Sequence, residues 1–276
     1  MFGTSKFKTY HKNGFDYLKI SEDEKNIYDL VFLHGMFGGL SNYDELIQHI
    51  DGYNIYVPSI PIYDFDHSNL SIRNLTQWTH EFCEALNISQ PVLLGNSMGG
   101  HMALEYALQY PDDVKALVLT GSSGLQEKDF GSSCPRRNDR KYIRKQAEQI
   151  FYQDLVNDII LDEIMEVIGT PAKLSNMLAV ARDTHEYNME QYLSQITHDV
   201  LLIWGKNDRV TPPEVANTFY QKLPHAQLYW IDKCGHAPMM EHPQRFAFFL
   251  NEFLVELKNE QTGKTSTDYE ENYSHF

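Results

Sequence analysis

The segment Pro91-Val92-Leu93-Leu94-Gly95-Asn96-Ser97-Met98-Gly99-Gly100 sets a serine between glycines, directly after an apolar run and directly before residues of helical periodicity. A serine hydroxyl is a weak nucleophile at neutral pH. It attacks a carbonyl carbon when a base takes its proton and a third group orients that base. Glycines flanking such a serine suit a sharp strand-to-helix turn, where neighbouring backbone leaves no room for side chains. Ser97 is therefore the candidate nucleophile, presented at the C-terminal end of a strand. The plainer reading is a glycine-rich turn whose serine only caps the helix starting at Met98. Candidates for the base and its orienting acid lie downstream. After Val200 to Trp204 comes Gly205-Lys206-Asn207-Asp208, and after Gln227 to Ile231 comes Asp232-Lys233-Cys234-Gly235-His236. Asp208 and His236 thereby fall in loops at the sheet edge that carries Ser97, in the chain order Ser, Asp, His. Asp232 competes for the acid role, although its place at a strand end suits a structural hydrogen bond.

Positioning three loops at one edge requires parallel strands. Short β-branched and aromatic runs alternate with helical periodicity, which predicts an α/β class with crossover helices. Strands are expected at Tyr28 to Leu33, Asn54 to Val57, Val92 to Leu94, Val114 to Thr120, Val200 to Trp204 and Gln227 to Ile231. Helices are expected over Ser71 to Leu86, Met98 to Gln109, Pro213 to Lys222 and Gln244 to Leu257. Several of the strands are near-continuously apolar, as burial on both faces demands. Gly14 to Ile20 reads as an antiparallel edge strand. The alternation stops after Gly121 and resumes near Asp199, so a helical insertion is expected between them. The stretch 259–276 has one lysine against four acidic residues and no apolar period, and is expected to be a disordered acidic tail.

The chain has 276 residues, 42% of them hydrophobic, enough for one large core with an insertion. With 23 basic against 38 acidic residues the net charge is -15, which argues against a nucleic-acid partner or an anionic membrane surface. No apolar run approaches the roughly 18 to 20 residues that span a bilayer, and the N-terminus carries no signal-peptide core. The reading is a soluble, cytoplasmic protein. Cys83, Cys134 and Cys234 are odd in number and widely spaced, which suits reduced thiols and neither a disulfide framework nor a metal site.

Taken together, Gly95-Asn96-Ser97-Met98-Gly99-Gly100, Trp204-Gly205-Lys206-Asn207-Asp208 and Gly235-His236-Ala237-Pro238 resemble the α/β-hydrolase superfamily, over nearly all of residues 14 to 257. The resemblance implies a mostly parallel sheet flanked by helices, with a helical cap inserted over the site. The core is then residues 1–123 and 197–258, the cap 124–196 and the tail 259–276. It also implies a small-molecule substrate and no metal or organic cofactor. Leu33-His34-Gly35-Met36-Phe37-Gly38-Gly39 is similar to the family's oxyanion loop. On that likeness the backbone N–H groups of Met36 and Met98 are the candidate oxyanion donors, and Phe37 is a candidate substrate contact. His101, one helical turn beyond Ser97, is expected to pack or to line the pocket. In the cap, Arg136 to Lys145 holds six basic residues within ten positions. Arg136 and Arg137 are candidate substrate contacts if the run selects anions; otherwise the run is a solvated face whose charges pair with nearby acids.

The function implied is hydrolysis of a carboxylic ester through an acyl-enzyme intermediate. A carbon-carbon bond hydrolase of the meta-cleavage product type competes with it, because the Gly-Asn-Ser-Met-Gly-Gly motif is similar to that group's. Here, however, HGMFGG stands where those enzymes tend to have H-G-x-G-P-G, and Ala237 where they carry an aromatic residue. The same triad would also serve an acyltransferase, and the same fold could carry a non-catalytic receptor or binding module.

Overall fold

The computed structural model describes residues 5–21, 28–125, 136 and 138–262. Eight strands form one sheet: β1 (Thr9–Lys12), β2 (Phe15–Ile20), β3 (Asp29–Leu33), β4 (Asn54–Pro58), β5 (Val92–Asn96), β6 (Ala116–Thr120), β7 (Asp199–Gly205) and β8 (Ala226–Ile231), in the spatial order β1-β2-β4-β3-β5-β6-β7-β8. Only β2 runs antiparallel to its neighbours β1 and β4; the others pair in parallel. The helices are α1 (Asp44–Ile47), α2 (Ile72–Leu86), α3 (Met98–Gln109), α4 (Arg140–Ala147), α5 (Asp158–Gly169), α6 (Pro171–Glu186), α7 (Pro213–Lys222), α8 (Pro238–Glu241) and α9 (Pro243–Thr262).

Every residue of β5 and β6 is buried, which explains their unbroken apolar runs. Alternate side chains feed two cores. Leu93, Leu117, Leu119, Leu202 and Trp204 pack with Phe82, Met102 and Phe219 on one face. Leu94, Val118, Leu201 and Ile203 pack with Phe246, Leu250 and Leu254 on the other. Among the described residues, the elements between β6 and β7 are helical, and α4 to α6 hold a core of their own around Ile143, Leu161, Ile164, Ile168 and Met177.

The chain leaves β3 outward to β4, then returns to the other side of β3 for β5 and continues outward to β8. The loops after β3 and β5 thus diverge at a switch point, where open α/β sheets bind ligands. The registers Leu33↔Gly95, Asn96↔Thr120 and Gly205↔Ile231 bring the ends of β3, β5, β6, β7 and β8 to one edge.

Three details differ from the sequence expectation. The edge strand is β1, not β2; the two form a hairpin through Asn13 and Gly14, both at positive φ. Thr-Tyr-His-Lys is exposed at all four positions and so shows no apolar alternation, while Asn-Gly is the local signal of such a turn. Helix α9 runs to Thr262, into the stretch expected to be tail, and 263–276 lie outside the described residues. Within the span expected to be a cap, 124–196, Ile159 is 67% exposed, and Met189 joins the main core rather than the one formed by α4 to α6.

Candidate active site

Ser97 closes β5 and opens α3 with φ 55° and ψ -120°, a strained conformation for a residue with a side chain. Its hydroxyl does not cap α3, so helix capping is not what the residue does. The turn is held by backbone: Ser97 N donates to Thr120 O at 3.2 Å, and Ser123 N donates to Ser97 O at 3.0 Å. The glycines are there for close approach. A Cβ at Gly95 would stand 2.3 Å from Gly99 O, and one at Gly99 would stand 2.1 Å from Leu33 O. Helix α3 is thereby pressed against the ends of β3 and β5, and Ser97 remains partly exposed.

His236 follows β8 and Asp208 follows β7. His236 Nδ1 and Asp208 Oδ2 are 2.9 Å apart, with both side chains buried. The other oxygen of Asp208 accepts from Val210 N at 2.8 Å and Thr211 N at 3.0 Å, and Thr211 Oγ1 donates to Oδ2 at 3.0 Å. The carboxylate is thus oriented by its own loop, and that loop is pinned by Trp204 Nε1 donating to Thr211 O at 2.9 Å. Asp232, the rival acid, is exposed. Gly121, at φ 52°, clears space for the imidazole: a Cβ there would lie 2.8 Å from His236 Nδ1.

Asn96 links the two loops. Its Nδ2 donates to Thr120 O and to His236 O, both at 3.0 Å. Across the switch point, the loop after β3 is held by three side chains. Tyr43 Oη donates to Leu33 O at 2.8 Å, and Tyr63 Oη donates to Met36 O. His34 Nε2 accepts from Ile60 N at 3.1 Å, which leaves its Nδ1–H to donate to Gly35 O at 2.9 Å. Burial pushes the His34 pKa down to about 4, so the ring is neutral and its two roles are fixed. Phe37, in the same loop, is 36% exposed.

His101 has no solvent exposure and stacks on Tyr187 at 5.4 Å between ring centroids. Among the described residues neither of its ring nitrogens has a hydrogen-bond partner, and burial lowers its pKa to about 3. In the helices between β6 and β7, Arg140 pairs with Asp158 and Asp162, and Arg144 pairs with Asp158 at 2.6 Å. Arg136 lies over the Tyr142 ring at 5.5 Å, and Arg137 lies outside the described residues. Cys83 and Cys234 are buried free thiols whose pKa values burial raises, so they are poor nucleophiles; Cys134 lies outside the described residues. Among the described residues no group of three or more His, Cys, Asp or Glu side chains could hold a metal ion. No described helix is long and apolar enough to cross a membrane.

Sequence reasoning missed Thr211, Asn96 and Tyr63. Asn96 sits within the serine motif and could have been singled out as a buried amide beside it. Thr211 and Tyr63 act on groups that only the fold brings to them.

A serine on a strained strand-to-helix turn and a hydrogen-bonded His–Asp pair, both at the C-terminal edge of a mostly parallel sheet, point to a class of proteins rather than a single activity. The chain belongs to the α/β-hydrolase fold family, whose profile matches residues 29–154 and 175–243, and it is a hydrolase. It is 28% identical to a 2-hydroxy-6-oxo-6-phenylhexa-2,4-dienoate hydrolase of Burkholderia cepacia, over 91% of this chain and 96% of that one. It is 25% identical to Lipase 1 of Psychrobacter immobilis, over 86% of this chain and 84% of that one. Among solved structures it is similar to an α/β hydrolase enzyme from the metagenome of sediments of the Mar Chica lagoon, Morocco. That match has a TM-score of 0.75 and 36% identity, and covers 91% of this chain and 99% of the other.

Proposed function

We propose that the chain is a serine hydrolase that cleaves a carboxylic ester through an acyl-enzyme intermediate, with Ser97, His236 and Asp208 as its triad. The observation that carries this reading is the 2.9 Å contact between His236 Nδ1 and Asp208 Oδ2 at the sheet edge where Ser97 is presented. With Nδ1–H donating to the carboxylate, Nε2 keeps the lone pair with which the imidazole acts as a base. It takes the Ser97 proton as Oγ attacks the ester carbonyl, and the ring becomes imidazolium, stabilised by Asp208. The oxyanion that forms is met by the N–H groups of Met36 and Met98, the second of them at the N-terminus of α3 where the helix dipole adds positive potential. Each such donor contributes about 3 to 4 kcal/mol to the transition state. His236 then gives its proton to the departing alkoxide. Water, deprotonated by the same nitrogen, attacks the acyl-serine and releases the acid. Phe37 borders the site from the oxyanion loop, and His101 backs its wall.

A second reading follows from one finding, the likeness to the Burkholderia cepacia dienoate hydrolase. The same triad would then serve a carbon-carbon bond hydrolase. HGMFGG and Ala237 depart from that group's habit, so the ester reading is preferred. Turnover of p-nitrophenyl esters of graded acyl length, run beside a dienoic 1,5-diketone, separates the two. Ester turnover with negligible diketone cleavage supports the first; a large preference for the diketone overturns it.

A further inference from the structure

One buried carboxylate takes no part in the triad chemistry, yet it gathers donors from two distant segments. Glu241, at the end of α8, is 5% exposed. Its Oε1 accepts from Gly235 N at 2.8 Å and from the Cys234 thiol at 3.8 Å. Its Oε2 accepts from Tyr152 N at 2.7 Å and Gln153 N at 3.0 Å. Gln153 Nε2 returns a bond to Glu241 O at 3.1 Å. Beside this cluster His236 N donates to Ile150 O at 2.8 Å. The two backbones are in direct contact, since a Cβ on Gly235 would lie 2.5 Å from Ile150 O and 2.8 Å from Tyr152 N.

Residues 150–153 leave the cap helix α4, and residues 234–236 are the loop that carries the imidazole. One carboxylate therefore satisfies backbone donors of both. A carboxylate suits this task because it has two acceptor oxygens and no donor of its own, whereas an amide would turn an N–H toward at least one of these N–H groups. Left unmet, such buried donors are costly, so the three segments are held as a unit.

We propose that Glu241 is a positioning residue that couples the cap to His236: it clamps residues 152 and 153 against the histidine loop, so the cap's placement sets the aim of the imidazole. This rests on the triad reading for its catalytic consequence but not for the coupling itself. Substitutions in residues 150–153 then alter catalysis without touching the substrate, and loss of the Glu241 charge removes a negative charge from the loop that carries His236.

The test is Glu241→Gln beside Glu241→Asp, with Phe82→Leu in the distant α2 core as a stability control. Hydrogen exchange read at amides 152, 153, 235 and 236 should rise together in Glu241→Gln and not in Phe82→Leu. With a p-nitrophenyl ester, kcat should fall about tenfold or more with KM nearly unchanged, and the acidic limb of the kcat profile should move to lower pH. Glu241→Asp, which keeps the charge on a shorter arm, should recover part of both. Faster exchange at 152 and 153 with 235 and 236 unaffected overturns the coupling. So does a folded Glu241→Gln with wild-type kcat and pH profile. A wild-type enzyme that turns over no ester, while the four amides still respond together, refutes the ester reading and leaves the clamp standing.

Discussion

Asn96 Nδ2 lies 3.0 Å from the carbonyl oxygen of His236, so the residue before Ser97, the proposed nucleophile, holds the backbone of the proposed base. The two are 140 positions apart in the chain. The same NH₂ group reaches Thr120 O, which fixes the amide from a third strand. Asn96→Ala should lower kcat about tenfold, the effect of removing roughly 1 to 1.5 kcal/mol of hydrogen bonding that keeps the loops in register. KM should change little. Steady-state ester kinetics check this, and a rise in KM with kcat intact would mean that Asn96 acts on binding.

Asp208→Asn should lower kcat by about 10³ to 10⁴-fold, since an amide neither holds the Nδ1–H tautomer nor stabilises the imidazolium. Asp232→Asn should do far less, because Asp232 is exposed while Asp208 carries the bond to His236. The reverse ranking in kcat would move the acid role to Asp232.

Stability should fall on mild acidification because two histidines are buried neutral. His34 and His101 have pKa values lowered from 6.5 to about 4 and about 3, chiefly by burial. The unfolded chain takes up protons near pH 6.5 that the folded chain refuses until its own lower pKa. Their contribution is therefore complete above pH 6.5 and is lost as pH drops from there toward 4 and 3, by up to about 1.4 kcal/mol per pH unit for each ring. Urea unfolding from pH 7 to pH 4.5 reads this slope. His101→Leu should flatten it without the loss of a hydrogen bond, because among the described residues neither ring nitrogen of His101 has a partner. Equal slopes in the two proteins would contradict the assignment.

The basic run from Arg136 to Lys145 gives a negative expectation. Arg140 and Arg144 spend their guanidinium groups on Asp158 and Asp162. Replacing Arg136, Arg137 and Arg140 with Gln should leave the ratio of KM values for an anionic and a neutral ester of equal length unchanged. A rise of about tenfold confined to the anionic ester, the size of a lost charge-assisted contact, would show that the run selects substrate.

The parts of this architecture that could be read in the sequence are those with local causes. Strands β5, β6 and β7 carry the unbroken apolar runs Val92 to Leu94, Ala116 to Leu119 and Val200 to Trp204 because both their faces are covered, and the Gly-x-Ser-x-Gly turn is glycine-rich because Gly95 and Gly99 abut backbone. Strand β1 was not legible, since an exposed edge strand needs no apolar pattern and Thr-Tyr-His-Lys has none. The roles of Glu241, Thr211 and Tyr63 were not legible for a different reason. Their roles are hydrogen bonds to groups such as Tyr152 N and Met36 O, and no periodicity marks a residue whose partner is set by tertiary placement. The charges of Arg140 and Arg144 were visible, but the carboxylates that neutralise them come from α5, on another helix.

Ser97→Ala tests the central claim most directly, by fluorophosphonate labelling and p-nitrophenyl ester turnover on protein whose melting temperature matches the wild type. Removing the nucleophile should abolish labelling and cut turnover by on the order of 10³-fold or more. Wild-type labelling mapped to Ser97 and absent from the variant is the result the triad requires. Labelling that persists in Ser97→Ala, or turnover that survives it, would contradict the assignment.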